Sequence, residues 1–169
     1  MITILTAFKP FLGEAHVHQT NALSSWKALA NDVEILVFGK PESSASFVEP
    51  FGARVVPGIP TAQDGRARVD AICEFGRLHA KYDRQVYVNG DILLMRDFVE
   101  AFQAIRFSKL RMIGQRTDVE LWVALTLQSE SAQRTVRANV GCSSGNLCNS
   151  KWPWTISPTD EGNFLNVAL

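Results

Sequence analysis

Residues 2–7 of the chain (ITILTA) are almost continuously apolar and rich in β-branched side chains. A run of this kind is typical of a strand that is buried on both faces of a parallel sheet. After a break, apolar residues recur with helical spacing between residues 22 and 30, and Thr20 or Asn21 is predicted to cap that helix. The chain therefore opens with a strand followed by a helix.

Strand-like and helix-like segments go on alternating towards residue 127. Asp97 is predicted to open a helix, with Glu100 at the spacing of a capping box. The alternation favours an α/β fold, a three-layer sandwich around a mainly parallel, Rossmann-like sheet, which binds ligands at the carboxyl ends of its strands. Further strands are predicted at residues 34–38, 54–56, 85–88, 111–114 and 119–127, and further helices around residues 47–51 and 69–78.

Length, charge and cysteine content limit the class of protein that this chain can be. The 169 residues predict one domain, and the 17 basic and 17 acidic residues cancel, which argues against nucleic acid as a partner. No apolar run approaches the roughly 18 residues of a membrane span. The cysteines (Cys73, Cys142 and Cys148) are odd in number and lack the spacing of a zinc site or a disulfide framework. We therefore expect a cytoplasmic protein without a membrane span.

The last 42 residues differ from the rest. Residues 128–169 contain six serines and five asparagines and show no sustained period. We therefore expect a domain over residues 1–127 and an irregular carboxyl-terminal tail over residues 128–169.

The strand predicted at residues 85–88 leads into Asn89, Gly90 and Asp91. A carboxylate two residues after an amide offers the hard oxygen ligands that a divalent cation needs beside two phosphates. Glycine between them would let a diphosphate approach the backbone. Asn-Gly between apolar runs is also a hairpin signal. The short following run and the helix predicted from Asp97 leave little room for a second hairpin strand.

Several stretches together resemble the amino-terminal part of nucleotide-sugar glycosyltransferases of the GT-A fold. The chain is similar to a family-2-like group with the metal motif Y-[IV]-N-x-D-I. Residues 113–118 resemble the strand that follows this motif. The other stretches are residues 4–11, 21–29, 33–39 and 87–92.

This resemblance implies a site for a nucleoside-diphosphate sugar. The nucleotide would lie at the end of the first strand, held by Thr6, Ala7 and Phe8 largely through backbone groups, with the charge of Lys9 near the phosphates. Asp91 would bind Mn²⁺ or Mg²⁺ directly. Asn89 would supply a neutral oxygen where the commoner D-x-D motif has an aspartate.

By the same resemblance, the reaction would transfer a hexose to an unknown acceptor. Inverting members need a carboxylate base beyond the metal motif. After Glu130 the only acids are Asp160 and Glu161, outside any matching pattern, so the catalytic residue is unknown. One alternative is a non-catalytic or degenerate nucleotide-binding module without the acceptor half. A second is a nucleotidyltransferase of similar fold, for which residues 9–13 are a poor phosphate loop.

Other residues carry weaker signals. Arg116 ends a predicted strand on the ligand side, so substrate contact and a plain surface position are both open. His16 and His18 have no third metal ligand nearby in the sequence. Trp26, together with Phe98 and Phe102, is predicted to lie in the core.

Overall fold

A computed structural model describes residues 1–29, 32–105, 110–114, 154–158 and 165–168. The helices are α1 (Gly13–Lys27), α2 (Pro41–Val48), α3 (Val69–His79) and α4 (Arg96–Gln103), and a 3-10 turn at Glu49–Phe51 follows α2. The strands are β1 (Ile2–Thr6), β2 (Val33–Phe38), β3 (Arg54–Val56), β4 (Gln85–Tyr87), β5 (Leu110–Gly114), β6 (Trp154–Pro158) and β7 (Leu165–Ala168).

These strands form one sheet in the order β3-β2-β1-β4-β7-β5-β6. Every neighbouring pair is parallel except β5 and β6. Leu5 of β1 lies opposite Leu36 of β2 and Tyr87 of β4. The predicted α/β fold with a mainly parallel sheet is confirmed. The chain adds β2 and β3 on one side of β1 and then returns to place β4 on its other side.

Helices cover both faces of this sheet. Ile4 of β1 packs in a cluster with Trp26 of α1 and Phe98 of α4. Its neighbour Leu5 points to the opposite face, where it packs in a second cluster with Ile72 of α3. This period of two along a strand explains why the strand segments have apolar residues at both odd and even positions. Among the described residues, no helix combines the length and the apolar character needed to cross a membrane.

Two predicted helix starts are wrong. Helix α1 begins at Gly13, so Thr20 and Asn21 lie inside it rather than at its cap. Its first half has no apolar stripe, and its buried Gln19 is held by hydrogen bonds to the loop before it. Helix α4 begins at Arg96 with Met95 as its N-cap, and no side-chain hydrogen bond caps this end. Asp97 therefore lies in the first turn of the helix and is not the capping residue of a capping box.

The carboxyl-terminal stretch contributes to the sheet. Within residues 128–169, expected to be irregular, the described residues form β6 and β7, and β7 pairs with both β4 and β5. Strand pairing between distant segments leaves little local signal, which is why the composition of the stretch did not indicate these strands. The strand expected at residues 119–127 lies outside the described residues, and the boundary at residue 127 stays a prediction.

Candidate functional site

The loops that follow β1 and β4 meet at the carboxyl-terminal edge of the sheet. The pairing of the two strands continues one residue past β4, where the Val88 N–H donates to the Leu5 carbonyl oxygen at 3.0 Å. Strand order reverses here, because β2 and β4 flank β1 on opposite sides. In α/β sheets, ligands bind outside the carboxyl ends of the strands at such a reversal. This edge is therefore the candidate site.

A turn directly follows β4 at this edge. The Ile92 N–H donates to the Asn89 carbonyl oxygen at 3.2 Å, and the side chains of Asn89 and Asp91 are exposed. The turn expected from Asn-Gly is present, but the hairpin alternative is wrong. No strand follows the turn, and α4 begins at Arg96. The two polar side chains consequently face solvent at the end of a buried strand.

Gly90 is buried in this turn against the ring of Phe8. A Cβ at this position would overlap Phe8 Cδ1, and it would lie 2.6 Å from Phe8 Cε1 and 3.2 Å from the Ala7 carbonyl oxygen. The Phe8 ring also stacks on Trp26 with centroids 6.1 Å apart. Glycine is therefore needed here for the close approach of Phe8, whereas the sequence suggested room for a diphosphate.

Helix α1 holds the segment after the turn. Trp26 Nε1 donates to the Ile92 carbonyl oxygen at 3.0 Å. The Leu94 N–H donates to Ser25 Oγ at 3.1 Å, and that hydroxyl donates to the Ala22 carbonyl oxygen at 2.7 Å. Trp26 is fully buried, as predicted, and so are Phe98 and Phe102 within a few per cent. The hydrogen-bonding roles of Ser25 and Trp26 were not predicted, because local sequence does not show which loop a helix will contact.

The loop after β1 is fixed by one buried amide. Gln19 Oε1 accepts from the Lys9 N–H at 2.8 Å, and Gln19 Nε2 donates to the Lys9 carbonyl oxygen at 3.1 Å. The backbone of Lys9 is thereby immobilised while its side chain is exposed. Sequence reasoning missed Gln19, because it placed this residue before the helix.

Tyr87 connects the turn to the other face of the sheet. Its ring packs at the border of the cluster around Ile72, and its hydroxyl donates to Asn89 Oδ1 at 3.1 Å. Burial raises the pKa of Tyr87, and Cys73 and Asp91 add to this effect. The hydroxyl therefore keeps its proton across the physiological range and remains a donor.

The structure brings together most of the predicted site residues. Lys9, Asn89 and Asp91 are exposed at the carboxyl-terminal edge, with Ala7 and Phe8 half-buried beside them. Thr6 is fully buried, and its hydroxyl has no hydrogen-bond partner in the described part of the chain. Arg116 lies outside the described residues.

The exposed carboxylate of Asp91 has the chemistry of a cation ligand. No group of three or more His, Cys, Asp or Glu side chains comes together within the described ranges. Mg²⁺ is commonly held by one or two carboxylates, with water and substrate phosphates completing its shell, so a lone carboxylate suits a cation that arrives with its nucleotide.

The remaining candidates are His16, His18 and the predicted phosphate loop at residues 9–13. The rings of Phe11 and Phe47 stack on each other, and His16 packs edge-on against both, at centroid distances of 6.0 and 5.5 Å. His16 and His18 are two apart on α1, so they do not face each other across a common site. Phe11 is buried and packs edge-on against Phe8 at 5.2 Å. Residues 9–13 thus surround an aromatic core residue, unlike the phosphate loop that a nucleotidyltransferase would need.

Neither the models of known protein families nor the curated proteins give a match to this chain.

Proposed function

We propose that the carboxyl-terminal edge binds the diphosphate of a nucleoside-diphosphate sugar through a divalent cation held by Asp91. The observation that carries the proposal is the exposed Asp91 carboxylate at the end of β4, beside the end of β1 and at the reversal of strand order. Both loops are held by hydrogen bonds from α1, so their polar groups are preorganised for a ligand.

Charge and chemistry at this edge fit an anionic ligand carried by a cation. Mn²⁺ or Mg²⁺, when bound, neutralises the charge that develops on a diphosphate leaving group. Asp91 orients that cation, and the exposed Lys9 adds a positive charge at the end of β1. Helix α1 starts just after this loop without a side-chain cap, and its first-turn N–H groups favour anions.

The reaction proposed is transfer of a hexose from the nucleotide to an acceptor hydroxyl, in the reducing cytoplasm that the cysteine usage favours. The residues of this chain would bind and orient the donor.

A thermal unfolding experiment tests the donor site. The full chain is melted with UDP, GDP, CDP, ADP and their sugars, with and without Mn²⁺. A ligand that binds only the folded state at about 100 times its Kd stabilises it by about 2.7 kcal/mol. We expect such a Mn²⁺-dependent rise in Tm for the wild type, and its loss in Asp91→Ala.

Asp83→Ala is the matched control. Asp83 is also exposed and precedes β4, so its substitution removes the same charge from the opposite end of the same strand. This variant should respond to nucleotide as the wild type does. Absence of a shift for every nucleotide, or an equal shift in Asp91→Ala, would refute the donor site. Sugar release or transfer, measured on the same samples, separates turnover from binding alone.

A further inference from the structure

The side-chain amide of Asn89 is hydrogen-bonded to the Tyr87 hydroxyl. Within the described residues, the Tyr87 hydroxyl is the hydrogen-bond partner of this amide, at 3.1 Å from Oδ1. The backbone of Asn89 is fixed as well, because its carbonyl oxygen accepts from Ile92 and the preceding Val88 N–H is bonded to β1. The amide oxygen thus accepts from Tyr87, while the amide nitrogen makes no hydrogen bond within the described residues.

Tyr87 is suited to maintain this orientation. Its ring is half-buried against the α3 side of the sheet, which limits where the hydroxyl can lie. A protonated phenol donates readily to an amide oxygen, and the two amide hydrogens of Asn89 remain for a ligand.

We propose that Asn89 binds an anionic oxygen of the diphosphate as an N–H donor, with Tyr87 as its positioning residue, and that Asp91 alone supplies the side-chain ligand to the cation. This inference rests on the proposed function and refines it. It differs from the role that the sequence resemblance implies, in which Asn89 gives an oxygen to the metal. The first role uses the amide nitrogen of Asn89, and the second uses its amide oxygen.

Replacing Asn89 by aspartate distinguishes the two roles. The dissociation constants of UDP, GDP, CDP and ADP are measured at saturating Mn²⁺ for the full-length wild type, Asn89→Asp and Asn89→Ala, together with the Mn²⁺ concentration that gives half-maximal binding. We expect Asn89→Asp to weaken nucleotide binding by about tenfold or more, because a negative charge replaces a donor facing phosphate. Asn89→Ala should weaken it by less, and neither variant should lower the Mn²⁺ requirement.

A double-mutant cycle tests the positioning role of Tyr87. Tyr87→Phe should weaken nucleotide binding by about threefold in the wild type and should have no further effect in the Asn89→Ala background. A role of Tyr87 in the fold alone would give the same loss in both backgrounds. The Tm of each unliganded variant shows that it is folded before its binding is compared.

The outcomes separate this inference from the proposed function. Tighter nucleotide binding or a lower Mn²⁺ requirement in Asn89→Asp would make Asn89 a cation ligand and overturn the inference, while the donor site stands. Equal effects of Tyr87→Phe in both backgrounds would overturn the positioning role. A wild-type chain that binds none of the four nucleotides with Mn²⁺ would overturn both proposals.

Discussion

The two edges of the parallel sheet use their polar side chains in opposite ways. At the amino-terminal edge, Glu34 at the start of β2 accepts from Thr3 Oγ1 at 2.7 Å and from the Lys81 N–H at 2.6 Å. Arg54 also reaches Glu34, at 3.4 Å, and donates to the His79 carbonyl oxygen at 2.8 Å. At the carboxyl-terminal edge, Asp91 is exposed and has no hydrogen bond or ion pair within the described part of the chain.

This difference separates stability from binding. A polar side chain whose hydrogen bonds are satisfied inside the protein contributes to the fold and has little capacity left for a ligand. At the amino-terminal edge, the carboxylate of Glu34 connects β1, β2, β3 and the segment before β4. The carboxyl-terminal edge is held instead by hydrogen bonds between side chains of α1 and the backbone of the two loops, and the Lys9 and Asp91 side chains stay exposed. We therefore expect substitutions at the two edges to affect different measurements.

The largest effect on stability is expected for Glu34→Ala. Its removal leaves the fully buried Thr3 hydroxyl and the Lys81 N–H without their acceptor, at a cost of about 3 kcal/mol in the free energy of unfolding. Chemical denaturation measures this cost. Arg54→Ala is the comparison, because its half-exposed ion pair to Glu34 is worth at most about 1 kcal/mol. An equal cost for the two variants would mean that Glu34 is not the centre of this edge.

An intermediate effect is expected for Gly90→Ala at the carboxyl-terminal edge. The added methyl overlaps the ring of Phe8, and such overpacking costs about 2 kcal/mol. Gly39→Ala is the matched control, since a Cβ there meets nothing within 4 Å and its cost should stay within about 0.5 kcal/mol. Denaturation midpoints of the two variants decide the matter, and similar values would show that Phe8 does not pack tightly on Gly90.

The smallest effect is expected in the pH dependence of Tyr87. Its pKa is raised above the ordinary value of 10.0, so the folded protein keeps the phenolic proton at a pH where the unfolded chain releases it. Stability from this group is complete below the ordinary pKa and is lost as pH rises towards the folded pKa. Between about pH 9 and about pH 11, Tm should therefore fall less steeply in Tyr87→Phe than in the wild type.

Tyr82, the other tyrosine of the chain, provides the comparison for that experiment. Tyr82→Phe removes a phenol near the amino-terminal edge. The hydrogen bond from Tyr82 to Thr3 Oγ1 is donated by the backbone N–H, so the substitution leaves this bond intact. Equal pH slopes for Tyr82→Phe and Tyr87→Phe would contradict a specific contribution from the turn after β4.

Local sequence predicted β1 to β5 to within one residue at each end, but it placed the start of α1 wrongly and missed β6 and β7. A buried strand such as β2 needs only a short apolar run, which is visible in one window. Helix α1 begins at Gly13 and α4 at Arg96, and no side-chain hydrogen bond caps either start. A helix start without a capping side chain leaves little signal in the local sequence.

The candidate site was likewise predicted only in part from the sequence. The sequence by itself determined that β4 is a buried strand, that a turn follows it, and that Asn89 and Asp91 are the polar residues there. Only the tertiary structure decided that this turn lies beside the end of β1, that Phe8 packs on Gly90, and that Tyr87 orients Asn89. Apolar runs and turns are encoded in neighbouring residues, whereas the pairing of β1 with β4 and the packing of α1 on the loops depend on contacts between distant segments.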